Sequence, residues 1–251
     1  MRLLRWVGLL AGLMLWQGLC SAGIVGSAML ASPAQVCAGL WELAVRGMPP
    51  EFLLHKHVLH SLLLVGAGFL AALFTGVPLG LLLGGSRLAR AVLEPVFEFF
   101  RPVPPLAWIP LSVLWLGIGF KSAVFIIFLG AFFPILVNTC SGVRNVSAGC
   151  IGVAEVLGAS RRDIWLKVLL PASLPSILAG VRISMGIAWM TLVAAEFTGV
   201  QQGYGLGYMI MTARDLQRLD MIMAGMAVIG FIGIAIEHCL GRIARYLLRW
   251  R

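Results

Sequence analysis

The chain has 251 residues, of which 60% are hydrophobic and only 12% are charged, and its formal net charge is +9. Soluble domains are about 45–50% apolar, and the mean hydropathy here is +0.98, so the composition excludes a soluble domain. The basic residues stand at the ends of apolar runs and do not alternate with aromatic residues, which excludes nucleic acid as a partner and indicates membrane lipid. The predicted fold class is all-α, a polytopic membrane helical bundle with about six transmembrane helices.

The first apolar run, Trp6–Trp41, contains no charged residue, and Arg2 and Arg5 precede it. A cleaved signal peptide also begins this way, and the small residues at 20–22 would suit its cleavage site. However, the apolar region of a signal peptide would end after about 7–15 residues. We therefore favour a retained first span over about 6–28, with removal of residues 1–22 as the alternative. Residues 1–58 are expected to hold this helix and a periplasmic segment.

The second run, Ser61–Gly85, is also free of charge. Small residues recur in it at every fourth position, which places them on one helix face where a neighbouring backbone can approach closely. The following segment, Ser86–Arg101, is charged and contains Pro95, so one or two short interfacial helices are expected there. The small residues are Gly68, Ala72, Gly76, Gly80 and Gly84.

Four more apolar runs indicate four further spans, and residues 59–251 are expected to form a transmembrane core. Six spans would place both termini on the same side of a bacterial inner membrane. We expect that side to be the cytoplasm, because few of the 19 basic residues then lie outside, as the positive-inside rule requires. The outer ones are Arg46, Lys56, Lys121, Arg214 and Arg218. The further runs are Pro102–Phe120, Ser122–Val143, about Pro175–Ala195 and Met221–Ile243, with a polar loop at Glu196–Asp220 before the last.

A charged segment at 144–172 stands between the fourth and fifth spans. Charged side chains in hydrocarbon would cost several kcal/mol each, so the segment must project into water. In it Gly158 permits a tight bend, and Ser160 can cap a second helix with support from Asp163. Leu170-Pro171 is expected to end that helix where the chain re-enters the membrane. The sequence therefore predicts a stiff, protruding pair of short helices.

The stretch VAEVLGASRRDIWLKVLLPASLP at 153–175 resembles the EAA loop of binding-protein-dependent ABC importer permeases. That loop has a Glu-Ala-Ala turn, then a glycine and a Leu-Pro pair. Glu155 takes the acidic position, and the next two residues depart from the alanines. Gly158 and Leu170-Pro171 match in type and spacing. FFRPVPPLAWIPLSVLWLGIG, GAFFPILVNTCSGVRNV and Leu206-Gly207-Tyr208 resemble the nitrate/sulfonate/taurine-type branch, and the likeness extends in order over Leu59–Arg242.

The resemblance implies a transporter in which a second permease copy, cytoplasmic ABC ATPase subunits and a periplasmic or lipid-anchored solute-binding protein join this chain. It implies alternating access and a small cargo, an oxyanion or sulfonate such as nitrate, taurine or an alkanesulfonate. The sequence has no GxxxxGK[ST] phosphate loop, so no enzyme activity and no bound cofactor are expected on this chain, and ATP and Mg²⁺ belong to the partner subunit. The residues expected to couple to the ATPase are Glu155, Gly158, Ala159, Ser160, Leu170 and Pro171.

Polar residues inside the apolar runs are candidates for a translocation pathway. Arg182 could attract an anion, although an arginine near a membrane interface also reaches water with its long side chain. The runner-up function is an ion-coupled secondary transporter, which would need no ATPase, and a membrane-embedded enzyme is third. The candidates for the pathway are Asn138, Thr139, Arg182, Ser184, Thr191 and Glu196.

Two other patterns are weaker. Glu51, His55, His57 and His60 could support a metal ion, but histidines near a membrane interface are usually amphipathic residues, and no metal site is expected. Gly203-Tyr204-Gly205 is similar to part of a potassium filter, but the residues before it do not match and no pore helix is evident. The five cysteines include no C-x-x-C pair and are expected to be packing residues.

Overall fold

The structure is a computed structural model that describes residues 2–23, 29–48, 52–199 and 204–249. These residues form helices and connecting turns, with no strand among them, which confirms the all-α fold class. The helices are α1 (Arg2–Ser21), α2 (Pro33–Val45), α3 (Leu54–Gly85), α4 (Arg87–Phe100), α5 (Ile109–Leu116, after a 3-10 turn at Pro105–Trp108), α6 (Phe120–Arg144), α7 (Ala148–Val156), α8 (Arg161–Asp163), α9 (Leu170–Gly199, after a π-turn at Ile164–Leu169), α10 (Leu206–Asp215) and α11 (Leu219–Leu247).

Among the described residues, four helices are long and apolar enough to cross a membrane. Helix α4 and the helical segment Pro105–Leu116 are bent by 86° relative to each other. If the two together cross the membrane, they form a fifth span. The predicted third span, Pro102–Phe120, does not cross alone, because the prolines after Arg101 break the helix and α5 has only 8 residues. The four spans are Leu54–Gly85, Phe120–Arg144, Arg161–Phe197 and Leu219–Leu247.

The first predicted span is helical as α1, but its apolar helix comprises only Leu10–Ser21. The rest of that expectation, at 24–28, lies outside the described residues. The charged segment after α3 forms one helix, α4, and Pro95 lies inside it without interrupting it.

The predicted polar loop at Glu196–Asp220 is wrong over the described residues. Helix α9 continues to Gly199, and α10 then occupies Leu206–Asp215. The charges at the end of α10 suggested a solvated loop, but Leu206 and Met209 are fully buried. Packing of these apolar side chains stabilises a helix that the polar composition concealed.

The expected helix end at Leu170-Pro171 is also wrong. The helix passes through Pro171 because a π-turn precedes it, in which the Leu170 N–H bonds to the Trp165 carbonyl, five residues back. The wider turn relieves the clash that a proline ring makes with the carbonyl four residues earlier in an α-helix. Helical structure therefore extends over 37 residues from Arg161 to Phe197, about 55 Å of chain.

Contacts group the chain into two compact units, Met1–Leu62 with Gln202–Ile232, and Leu63–Gln201 with Gly233–Arg251. In the first unit, Arg218 bridges Glu42 of α2 at 2.7 Å and Asp220 of α11 at 2.8 Å. The hydrogen bonds that Arg218 donates to Asp220 and Glu42 raise the pKa of its guanidinium above the usual range. This network fixes α2 against the start of α11.

In the second unit, the small-residue face of α3 packs against α6, as predicted. A Cβ added at Gly80 would lie 2.6 Å from Thr139 Cβ and 2.8 Å from the Leu136 carbonyl oxygen, so only glycine fits. The same contact is repeated along the face, which brings the two backbones close together. The α6 side chains that meet Gly68, Gly76, Gly80 and Gly84 are Ile127, Ile135, Thr139 and Val143.

Candidate coupling elbow and translocation passage

We call residues Ala148–Leu169 the elbow. Its first arm, α7, ends at Gly158, which has φ +76°. The Gly158 N–H donates to the Glu155 carbonyl at 2.9 Å and the Ala159 N–H to the Ala154 carbonyl at 3.0 Å. These bonds form a Schellman motif, which favours glycine because other residues are strained at positive φ. The bend predicted at Gly158 is confirmed.

The second arm begins with a capping box, also as predicted. The Ser160 hydroxyl accepts the Asp163 N–H at 3.2 Å, and the Ser160 N–H donates to the Asp163 carboxylate at 3.3 Å. Lys167 lies 2.7 Å from the same carboxylate. Both sides of the turn are therefore capped, which stabilises the angle between the arms.

Apolar side chains project from the tip of the elbow. Val156 is 89% exposed and Leu157 is 80% exposed, although charged residues surround them. An open groove of about 650 Å³ lies between the arms and is lined by Ala154, Leu157 and Pro171, among others. Adjacent exposed apolar side chains of this kind mark a candidate interaction surface. Of the six predicted coupling residues, Glu155, Gly158 and Ser160 are exposed, and Ala159, Leu170 and Pro171 are half-buried.

A tight contact joins the second arm to the end of α3. The indole of Trp165 lies directly over Gly85 and leaves no room there for a Cβ. The sequence analysis did not predict this contact. The one available signal was the glycine at the very end of the second apolar run.

Of the six predicted pathway residues, Asn138 lines a cavity. This cavity, which we call the Asn138 cavity, has a volume of about 360 Å³ and lies between α6, α9 and the chain at 101–105. The Asn138 amide donates to the Pro134 carbonyl at 2.8 Å, which orients the side chain.

Arg182 is paired with the carboxylate of Glu237, so an ion pair joins α9 to α11. Both side chains are about half exposed, at 45% and 52%. The pair neutralises the charge that would otherwise attract an anion, and the sequence analysis did not foresee Glu237 as a partner.

The other four pathway candidates are buried in the bundle, and none lines the Asn138 cavity. Ser184 and Thr191 donate to carbonyls of the preceding turn of α9, at 2.8 Å and 3.0 Å, as such residues often do in helices. Thr139 packs against Gly80, and Glu196 is 2% exposed. Their role in transport stays a prediction.

A second cavity of about 210 Å³ adjoins the first and shares Arg101, Phe133 and Val137 with it. It extends along α6 to Arg144, which lies 3.7 Å from Glu94. Arg101 was not among the predicted site residues. Its signal in the sequence was a charge placed directly before the proline-rich break at 102–105.

The histidine cluster has a structural arrangement in the first unit. Nε2 of the buried His57 lies 2.9 Å from the Met48 carbonyl oxygen, and Nδ1 lies 2.9 Å from the carbonyl oxygen and 3.1 Å from the N–H nitrogen of Gly205. The Gly205 backbone is therefore bound by a side chain, unlike that of a potassium filter. Glu51 lies outside the described residues, and those described include no cluster of three His, Cys, Asp or Glu that could hold a metal ion.

The chain is an apolar helical bundle with a protruding capped elbow and with cavities beside its spans. These features together define a membrane transport component. Residues 76–251 match the family described as binding-protein-dependent transport system inner membrane component. The chain therefore belongs to that family and is the permease subunit of an ABC importer, a multi-pass membrane protein of the nitrate/sulfonate/taurine branch.

Three relatives illustrate this membership. A putative ABC transporter permease protein of Methanocaldococcus jannaschii is 49% identical over 74% of this chain and 69% of its own. The taurine transport system permease protein TauC of Escherichia coli is 37% identical over 97% of this chain and 88% of its own. The nitrate import permease protein NrtB of Leptolyngbya laminosa is 37% identical over 92% and 82%.

The fold is similar to that of a chain in the solved inward-facing MetNI methionine ABC transporter. The TM-score is 0.67 at 22% identity, over 77% of this chain and 95% of that chain. This similarity supports the permease fold.

Proposed function

We propose that the elbow binds a cytoplasmic ATPase subunit, and that its movement drives import of a small oxyanion or sulfonate. The observation that carries the proposal is the continuous helix from Arg161 to Phe197. A bilayer core of about 30 Å takes up about 20 residues of helix, so the rest of this helix projects beyond it. A helix that is continuous from the elbow into the span transmits a displacement without a hinge.

Two contacts support transmission to more than one span. The second arm continues into α9, and Trp165 packs on Gly85 at the end of α3. Since α3 is locked along its small-residue face to α6, motion of the elbow would displace three helices together. Alternating access by rocking of such a bundle needs no catalytic residue on this chain. ATP and Mg²⁺ would be bound by the partner subunit.

The cargo proposal rests on the named relatives. Proteins at 37% identity that cover most of this chain are named for taurine, aliphatic sulfonates and nitrate. Their shared feature is a small anionic oxygen-bearing group. A periplasmic or lipid-anchored binding protein would deliver the anion, as the family description implies. An ion-coupled secondary transporter, the earlier alternative, has no support from these relatives.

We also propose that a second copy of the chain covers the open face of α9. Met190 is 78% exposed and Ile183 is 51% exposed, and a Cβ at Gly186 would meet nothing within 4 Å. These residues lie on one side of the helix, with the small residue between the large ones. Such a face suits close packing of helices in a membrane.

The proposed orientation places both termini and the elbow in the cytoplasm. Two exposed native cysteines report on it, Cys37 in α2 and Cys150 in α7. Single-cysteine variants that retain one of them, with the other four changed to serine, are treated with a membrane-impermeant maleimide in spheroplasts. Cys37 should react at once and Cys150 only after the membrane is opened. Reaction of Cys150 in sealed spheroplasts would exclude a cytoplasmic elbow.

The function is tested by reconstitution of the permease with a partner ATPase and a solute-binding protein. Proteoliposomes should take up taurine or nitrate only when ATP is supplied on the elbow side, and the purified assembly should have the mass of two permeases and two ATPases. Methionine serves as the control cargo and should not be transported. Uptake that persists without the ATPase would contradict the proposal, and a single permease per assembly would contradict the second copy.

A further inference from the structure

We propose that Arg101 and Asn138 form a binding site for the anionic group of the cargo inside the Asn138 cavity. The inference rests on the proposed function, because it assigns residues to the oxyanion or sulfonate proposed above. It differs from the pathway predicted from the sequence, in which Arg182 was the candidate for attracting an anion.

The lining of the cavity carries the first argument. Among the described residues that line it, Arg101 is the only charged one and Asn138 the only one with an uncharged polar side chain; the others are apolar or glycine. Apolar walls lower the local dielectric and strengthen the attraction between a guanidinium and an anion. The planar fork of arginine donates two parallel hydrogen bonds to oxyanions, and the pairing is stronger than one between neutral groups. The volume of about 360 Å³ admits a small oxyanion with several waters, each of which occupies about 30 Å³.

The place of Arg101 in the fold carries the second argument. It follows α4 at the bend between α4 and the Pro105–Leu116 pair, and it lines the cavity beside Phe133 and Asn138 of α6. Those residues stand on the order of 9–16 Å before the end of α6 at Arg144, so the exposed Arg101 lies beside the length of this candidate span and not at its end. Ionisable groups at such depth are costly and usually functional, and broken helices commonly form the substrate sites of transporters.

Two other arginines near the spans are paired with carboxylates, which is the third argument. Arg182 is neutralised by Glu237, and Arg144 lies 3.7 Å from Glu94. No ion pair joins Arg101 to a carboxylate within the described part of the chain. A basic residue at a helix C-terminus stabilises the helix by about 0.3–1 kcal/mol through the helix dipole. This effect would explain why a charged residue follows α4, but not why Arg101 lines an apolar cavity.

The two adjoining cavities give the site a direction. Arg101 lies where they meet, and the second cavity contains Glu94 and Glu98 and ends at Arg144. An anion in the Asn138 cavity therefore has a guanidinium between itself and two carboxylates. A shift of Arg101 towards these carboxylates would weaken its hold on the anion and favour release towards the elbow end of α6.

The test uses the complete reconstituted transporter and measures ATP-driven uptake of the anion that the wild type transports, taurine or nitrate. Arg101→Gln should lower uptake by at least about tenfold, as expected for loss of a charge-assisted hydrogen bond, while the yield of folded assembly stays unchanged. Arg101→Lys, which keeps the charge, should recover most of the uptake. Asn138→Asp, which is nearly isosteric, should also abolish uptake because it places a carboxylate beside Arg101. Arg87→Gln, at the other end of α4 and away from both cavities, is the matched control and should transport normally.

The outcomes separate this inference from the function on which it rests. If the wild type transports neither anion, the proposed function fails and the site fails with it. If the wild type transports and Arg101→Gln matches it within about twofold, the site alone is excluded. Equal losses for Arg101→Lys and Arg101→Gln would likewise exclude a charge-based site and indicate a packing role.

Discussion

Replacement of Gly158 by aspartate should abolish transport while leaving the permease folded in the membrane. Gly158 has φ +76°, and a Cβ there would meet nothing within 4 Å in this chain. The internal cost of a side chain is therefore the backbone strain alone, about 1–2 kcal/mol. A larger effect has to come from a partner protein that approaches the turn closely. A mutation at such a contact can cost about 2 kcal/mol or more of binding free energy, which weakens binding by at least about thirtyfold. Co-purification with the ATPase and ATP-driven uptake are the measurements.

Two further variants separate strain from contact. Gly158→Asn keeps a residue that tolerates positive φ and adds no charge, so it should fail as Gly158→Asp does if the partner needs the space. Gly23 is the matched control, since it has φ +69° and is equally open but lies after α1, far along the chain from the elbow. Gly23→Asp should reduce uptake only slightly. Uptake by Gly158→Asp at the wild-type rate would rule out the coupling role of the elbow.

Replacement of Gly80 by leucine should prevent the bundle from folding. The new Cβ would overlap Thr139 Cβ at 2.6 Å and the Leu136 carbonyl oxygen at 2.8 Å, and a backbone oxygen cannot turn aside as a flexible side chain can. Overpacking in a close-packed interior typically costs about 1–3 kcal/mol and occasionally more. Because α3 and α6 touch along the whole face, we expect the high end or beyond. Thermal unfolding in detergent and the yield of membrane-inserted protein provide the readout.

The control for this variant lies on the same helix. A Cβ at Gly66 would meet nothing within 4 Å, so Gly66→Leu makes the same chemical change without overlap. It should insert and unfold as the wild type does, within about 0.5 kcal/mol. Equal stability of Gly80→Leu and Gly66→Leu would mean that α3 and α6 do not pack through the small-residue face.

The helix caps were predictable because they depend on neighbours in sequence. A glycine followed by serine and, three residues later, aspartate was enough to predict the bend and the capping box of the elbow, and both are confirmed. The four-residue spacing from Gly68 to Gly84 likewise predicted a close-packed face, because an α-helix repeats every 3.6 residues. The pattern did not reveal that α6 is the helix that meets it.

Predictions from the local sequence were wrong where residues distant along the chain decide the conformation. Leu170-Pro171 read as a helix end, but the π-turn before it and the packing of Trp165 on Gly85 let the helix continue. The charges of α10 read as a loop, but burial of Leu206 and Met209 made it helical. In both cases tertiary contacts outweighed a local preference of about 3 kcal/mol or less.

By itself the sequence determined the membrane class, the main apolar helices and the capped elbow, since these follow from composition and from spacing within a few turns of chain. The stretch at 153–175 also resembles the EAA loop of ABC importer permeases. Tertiary structure alone decided which polar residues face a cavity. Arg182 is neutralised by Glu237, 55 residues away along the chain, whereas Arg101 lies beside an apolar cavity shared with Asn138. Whether a charge in a span is paired or available depends on what another helix places beside it, and that placement follows from how the helices pack.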